Sequence, residues 1–210
     1  MSAIVVRPAT SEDTAAIENV EATAFSDTHR IFPGSLSDPD GFTKFQIEKN
    51  RKIIAGEDES TQTWTVAQDT STGSIAAIMR LEHVQNACEK PHTPITDVPF
   101  ARADSLRFFN EVTLTRRDIM GTRPHFYVHI LATRPQFQRR GCAHALLSHL
   151  FINADTVGRP IYLEASPVGI PFYKKLGFVE DGATVLFPCA PDGERDGMVV
   201  TVMVRKPQSM

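Results

Sequence analysis

Phe126 to Thr133 is the stretch that most limits what this chain can fold into. Aromatic and β-branched residues fill it. In a strand, Phe126, Val128, Ile130 and Ala132 share one face, and Tyr127, His129, Leu131 and Thr133 share the other. Just beyond it, Ala143, Leu146, Leu147, Leu150 and Phe151 recur at helical spacing from about Gly141 onward. A strand feeding a helix through a glycine-containing loop is a unit of α/β architecture, and the flanking segments must fit it.

They do. Ile4 to Arg7 is a β-branched run stopped by Pro8 and reads as a first strand. Thr10 or Ser11 caps a helix with Glu12 and Asp13 in its first turn, where the dipole favours negative charge, and Ile17, Val20 and Ala24 form its stripe. Asp38-Pro39 sets an N-cap and an initial proline before a second helix from Gly41 to Ile54. Thr63–Ala67 and Ser74–Glu82 make a hairpin around the turn residues Asp69 to Gly73. After the central unit come a strand over Ile161–Ala165, a short helix over Gly169–Leu176 stopped by Gly177, and a closing strand over Met198–Val204. One more strand fits near Phe178. The order is βα(α)ββ, an insert at about 83–125, then βαβαβ, in one domain spanning 1–210. The insert's first half holds Pro91, Pro94 and Pro99 and is irregular; its second, Ala101 to Met120, carries Leu106, Phe109 and Ile119 and suits a helix. Such an excursion is either a substrate lid or an inert decoration.

Composition removes several function classes. A chain of 210 residues, 41% hydrophobic, buries a core without staples, and a net charge of −3 is wrong for binding a phosphate backbone, so no nucleic-acid partner is expected. No apolar run approaches the ~18 residues of a membrane span, and the N-terminus lacks the apolar length of a signal peptide. Cys88, Cys142 and Cys189 form no Cys-x-x-Cys pair and point to reduced thiols in the cytoplasm. His83, Cys88 and His92 lie close together, but a fourth ligand and zinc-like spacing are missing, so no metal is expected.

The chemistry is written in Gln138-Arg139-Arg140-Gly141-Cys142-Ala143. Glycine at a strand–helix turn lets backbone N–H groups converge on an anion at the positive end of the helix, and the two arginines attract a polyanion. The plainer alternative is a helix start with two solvated arginines. Gln138-x-x-Gly141-x-Ala143 resembles the pyrophosphate loop of the GNAT superfamily of acyl-CoA-dependent N-acyltransferases, with Ala143 where glycine is commoner. Tyr162-Leu163-Glu164-Ala165-Ser166, Gly169 and Phe172-Tyr173-Lys174-Lys175-Leu176-Gly177-Phe178 follow in the right order and are similar to that family's fifth strand and fourth helix. The start at Arg7-Pro8-Ala9-Thr10 with Asp13 is also similar. Only the insert falls outside the resemblance.

The resemblance implies a mixed α/β fold: a central twisted, mostly antiparallel sheet, strands four and five splayed apart, and helices on both faces. It implies that the pantetheine arm of acetyl-CoA lies along Leu131, Ala132 and Thr133 as a pseudo-strand. It also implies that the loop from Gln138 through Arg139, Arg140, Gly141, Cys142, Ala143 and His144 holds the pyrophosphate. Cys142 is there for its small side chain, not as an acyl carrier. The activity implied is transfer of an acetyl group from acetyl-CoA to a primary amine of a small molecule, by a monomer or homodimer with no membrane partner. A protein lysine or N-terminal acetyltransferase and a silent acyl-CoA-binding domain are the alternatives.

Direct attack on a thioester needs two proton transfers. Tyr173 matches the family's thiol-facing tyrosine and is either the general acid or a core aromatic. An alkylamine with a pKa near 10.4 is only about one part in a thousand neutral at pH 7.4, a handicap of roughly 4 kcal/mol. Histone-acetylating members carry a glutamate where this chain has Tyr127. Arylalkylamine N-acetyltransferases carry a His-x-His pair whose second histidine matches His129. His129 is therefore the leading base, or else a hydrogen-bonded sheet histidine; Glu82 and Glu164 stand in reserve through a bridging water. Phe100, Phe108, Phe109 and Phe126 either line a pocket for an aromatic amine or pack the insert onto the sheet.

Overall fold

The computed structural model describes residues 3–25, 33–57, 61–85, 93–186 and 199–208. Among them, strands β1 (Ile4–Pro8), β2 (Gln62–Asp69), β3 (Ile75–Val84), β4 (His125–Thr133), β5 (Ile161–Ala165), β6 (Val179–Leu186) and β7 (Val199–Arg205) form one sheet in the order β1-β2-β3-β4-β5-β7-β6. Every neighbouring pair is antiparallel except β4 and β5, which run parallel. The helices are α1 (Thr14–Ala24), α2 (Pro39–Ala55), α3 (Ala103–Met120), α4 (Cys142–Thr156) and α5 (Ile170–Lys175).

Local chemistry sets the boundaries. Thr10 is the N-cap of a 3₁₀ turn that runs into α1, and Asp13 completes a capping box. The same carboxylate takes both terminal nitrogens of Arg7 at 2.7 and 2.9 Å, tying α1 to β1. Asp38 accepts from the Gly41 N–H at 2.9 Å ahead of α2.

Helices cover both faces of the sheet. Ala77, Met79 and Leu81 of β3 pack with Leu146, Leu147 and Leu150 of α4, while Ile78 packs with Ile17, Val20 and Ile53 of α1 and α2. A smaller cluster joins Met120, Val112 and Ile119 of α3 to Tyr127, Tyr162 and Val202. The second half of the insert is thus the helix its periodicity predicts, seated on the sheet.

One expectation fails in β4. The register with β3 pairs Arg80 with Ile130 but Leu81 with Val128, so His129 is an extra residue in the ladder. Such a bulge reverses the side-chain alternation beyond it. Leu131 therefore lies on the α4 side with Phe126 and Val128, and Ile130 and Ala132 lie on the α1 side. His129 shares a face with Tyr127, their rings 3.8 Å apart, but not with Leu131.

The far end of α4 is locked by charge. Arg205 of β7, 3% exposed, grips Asp155 with two nitrogens at 2.7 and 2.8 Å, and its guanidinium lies 4.1 Å over the ring of Phe151. Asp155→Ala leaves that buried cation without its partner and is expected to cost about 3 kcal/mol of stability in urea unfolding.

Candidate active site

β4 and β5 pair only at Phe126↔Ile161 and Tyr127↔Tyr162; beyond these no ladder pairs join them among the described residues. Parallel neighbours that part after two pairs leave a V-shaped gap, with the backbone of Leu131 to Thr133 along its β4 edge. An unpartnered strand edge accepts an extended chain through main-chain hydrogen bonds.

The loop after β4 has the shape an anion needs. A 3₁₀ turn at Pro135–Phe137 is followed by Arg139 with φ of 62° and Gly141 with φ of 83°, both left-handed. Left-handed residues alternating with others turn successive N–H groups toward one side and form an anion-binding concavity. Gly141 is the N-cap of α4 without a side-chain cap, so the first amides of the helix keep their donors. A side chain at Gly141 would meet nothing within 4 Å, which leaves the space over the loop open to a phosphate group. Gln138, Arg139, Arg140, Gly141 and His144 are exposed, whereas Cys142 is buried, its Sγ 3.7 Å from the Phe137 carbonyl oxygen. Burial raises the Cys142 thiol pKa, consistent with an inert space-filling role. These residues fit the pyrophosphate and pantetheine of a coenzyme A thioester.

Tyr173, in α5, lies on the α4 side of the sheet. Its ring sits 5.4 Å from Phe172 and 5.5 Å from Phe178, packed on the larger core. Gly169 makes this possible, because a Cβ there would meet Tyr173 Cε2 at 3.0 Å. Burial pushes the Tyr173 phenol up to about 12, so it keeps its proton.

The opposite face of the gap holds the other candidates. Tyr127 and Tyr162 are register partners with rings 5.4 Å apart on the α3 side. Two residues further along each strand stand His129 and Glu164, at the mouth of the gap. His129 Nε2 lies 2.7 Å from Glu82 Oε2, and Arg116 Nη1 of α3 lies 3.6 Å from that same oxygen. The Arg116 guanidinium also stacks 4.6 Å over Tyr127. Burial pulls His129 down to about 4 against the pull of Glu82, so its imidazole is neutral at pH 7 and its Nε2–H donates to the carboxylate. Burial pushes Glu82 up, but the bond to His129 and the charges of Arg116 and His125 outweigh it and hold it below the usual range. Glu164 is pushed up to about 7 by burial, against the Tyr127 and Tyr162 hydroxyls and Arg116. Glu164 Oε1 and Tyr162 Oη are buried without a hydrogen bond of ordinary geometry among the described residues.

The sequence candidates divide accordingly. Glu82 and His129 come together, Glu164 lies beside Tyr127 and Tyr162 on the same face, and Tyr173 packs on the opposite, α4 side of the sheet. The four phenylalanines do not form one pocket. Phe126 is buried on the α4 side beside His83, and Phe100 packs on Phe42 and Phe45 of α2, at 5.4 and 5.6 Å. His83 is described; Cys88 and His92 lie outside the described residues, and no metal-binding cluster is found among the described ones. No described helix is long and apolar enough to cross a membrane. Arg116 was not singled out by sequence. Its signal is a cation within the stripe Val112, Arg116, Ile119, Met120, where an apolar residue is expected.

Comparisons with known proteins agree with this geometry. No curated protein matches the sequence. Among solved structures, an agmatine N-acetyltransferase superposes with a TM-score of 0.67 at 15% identity, covering 97% of this chain and 99% of that one. A mosquito arylalkylamine N-acetyltransferase-like protein gives 0.62 at 16% identity, covering 97% and 100%. A Corynebacterium glutamicum protein described as a histone acetyltransferase and related acetyltransferase gives 0.61 at 24%, covering 100% and 98%. At these identities the likeness shows the fold. Residues 116–204, which span α4, the anion loop and both edges of the gap, match the family model described as the acetyltransferase (GNAT) domain. That match lies over a parted β4–β5 pair and an open amide-lined loop, so residues 116–204 form a domain of the GNAT acetyltransferases, a family that uses acetyl-CoA.

Proposed function

We propose that the protein transfers an acetyl group from acetyl-CoA to a primary amine of a small molecule, in the gap between β4 and β5. The amine nitrogen attacks the thioester carbonyl carbon, the carbon–sulfur bond breaks, the amine gives up a proton and the sulfur gains one. The observation that carries this reading is the pair of faces on the gap. Tyr173, a protonated phenol, packs on the α4 side of the sheet, and the proton acceptors Glu82, His129 and Glu164 belong to the α3 side.

Tyr173 is the donor to the leaving sulfur. His129 and Glu164 flank the amine, and their environments give them different work. His129, bound to Glu82, stays neutral and orients the amine; with a pKa near 4 it has little driving force as a base at neutral pH. Glu164, at about 7, is matched to neutral pH and takes the proton. The seating of α3 over Tyr127 and Tyr162 supports a compact acceptor, since a peptide would need an open groove there. The solved relatives act, by their descriptions, on agmatine, arylalkylamines and histones, so the preference for a small amine rests on this chain's own residues.

A pH–rate profile with two amines of different basicity tests the roles. A carboxylate base works ionised, so kcat/KM is expected to rise with pH through about 7, falling about tenfold per unit below it, and Glu164→Gln should remove that limb. A limb near 4 that vanishes in His129→Gln transfers the role to His129. A limb that follows the amine and survives both substitutions means that bulk water takes the proton. Thiol release with free amines set against lysine and N-terminal peptides tests the acceptor class: small amines are expected to turn over, and turnover confined to peptides overturns the proposal.

A further inference from the structure

The inserted helix α3 brings one charge into the acetyl-transfer site, and that charge has an unusual setting. Arg116 is 14% exposed, stacked 4.6 Å over Tyr127 and 3.6 Å from Glu82. Its Nε and Nη1 are buried, yet among the described residues neither makes a hydrogen bond. Arginines that serve packing spend their donors on carbonyls or carboxylates, because an unpaired buried guanidinium is costly. This one is held by the face of a tyrosine, leaving its charge to act on whatever surrounds it.

We propose that Arg116 is the positioning residue through which the insert acts in catalysis, holding the carboxylates on both sides of the gap, Glu82 and Glu164, in their ionised forms. The geometry places it for this task. Tyr127, under the guanidinium, is the register partner of Tyr162, and Glu164 follows Tyr162 by two residues on the same face. A cation stacked at that pair therefore stands between the β3–β4 edge, with Glu82 and His129, and the β5 edge, with Glu164.

The groups around it respond in one sense. Arg116 favours the ionised forms of Glu82, Glu164, Tyr127 and Tyr162 and disfavours the protonated forms of His125 and His129. Other charges also reach these groups. Arg80 of β3 acts on His129, Arg123 acts on His125, and Asp181 of β6 acts on Tyr162. None of these others bears on both Glu82 and Glu164. Without Arg116, burial of Glu164 would be opposed by no other cation named among the described residues, and the carboxyl would stay protonated to higher pH. The insert is then neither an inert decoration nor simply a lid. It carries the charge that keeps the proton acceptor ready at neutral pH.

The inference rests on Glu164 as the proton acceptor, and its test separates the two claims. The carboxyl resonance of Glu164 is titrated in 13C-glutamate-labelled protein, assigned with Glu164→Gln, for wild type, Arg116→Gln and Arg116→Lys. The measurement needs no turnover. The Glu164 midpoint is expected to move to the alkaline side in Arg116→Gln and to return toward the wild-type position in Arg116→Lys. The acidic limb of kcat/KM should move with it, with about tenfold less activity below the limb for each unit of displacement. An unmoved resonance overturns the proposal, as does a resonance that moves while a rate limb removed by Glu164→Gln stays in place. If the resonance moves as expected but wild-type activity shows no limb belonging to Glu164, the proton-acceptor assignment fails and the electrostatic link stands. Should Arg116→Gln not fold, the Arg116→Met isostere supplies the same uncharged comparison, with the stem packing kept.

Discussion

Tyr173→Phe is expected to slow turnover by about 10²–10⁴-fold while coenzyme A affinity stays near that of wild type. The ring's work is separable from that of the hydroxyl. The ring packs against Phe172, Phe178 and the α4-side core, and phenylalanine fills the same space, so the fold and the cofactor loop keep their geometry. Only the donor disappears. With a pKa near 12 the phenol carries its proton throughout the working range, so its contribution does not titrate away near neutrality. The phenylalanine variant should therefore retain the shape of the neutral-pH profile at a lower height. Single-turnover measurements guard against a slow release step masking the loss. Equal single-turnover rates for wild type and variant would reduce Tyr173 to packing.

The second large effect is expected at Gly141. Its φ of 83° is a left-handed conformation that a β-branched side chain resists, and the space beyond its α-carbon is open. Gly141→Val therefore strains the loop and fills the space over the converging amides. Coenzyme A binding by calorimetry should weaken by more than about tenfold, corresponding to at least ~1.4 kcal/mol. The core is untouched, since the loop is exposed and the buried stripe of α4 starts at Cys142 and continues at Leu146. Gly141→Asn tests the two causes apart, because asparagine tolerates the left-handed region. It should recover stability lost to strain without recovering affinity. Unchanged coenzyme A affinity in Gly141→Val would remove the loop from the binding site.

Much of the fold was legible because local signals and tertiary packing agree in it. Asp38-Pro39 starts α2 as capping chemistry requires, the hairpin turns at Asp69 to Gly73, and Gly177, with φ of 84°, follows the end of α5. What sequence could not supply was the bulge. Strict alternation in Phe126 to Thr133 gives no sign that His129 is an extra residue, since a bulge arises from pairing with β3 and not from β4 alone. The same limit hid the different environments of His129 and Glu164. His129 and Glu164 were both visible as candidates, but the burial that drives one to about 4 and the other to about 7 belongs to the assembled sheet and to α3. Arg116 illustrates the point most sharply. Its break in an apolar stripe is readable, whereas its place over Tyr127, 3.6 Å from Glu82, is a fact of topology.

The central claim is that acetyl-CoA enters between β4 and β5, so that its thioester lies between Tyr173 on one side and His129 and Glu164 on the other. The most direct measurement is a structure of the protein with coenzyme A bound. The pyrophosphate is expected on the amides of Arg139 to His144, the pantetheine arm along the main chain of Leu131 to Thr133, and the sulfur beside the Tyr173 hydroxyl. Coenzyme A bound outside the β4–β5 gap, or with its sulfur remote from Tyr173, would contradict it.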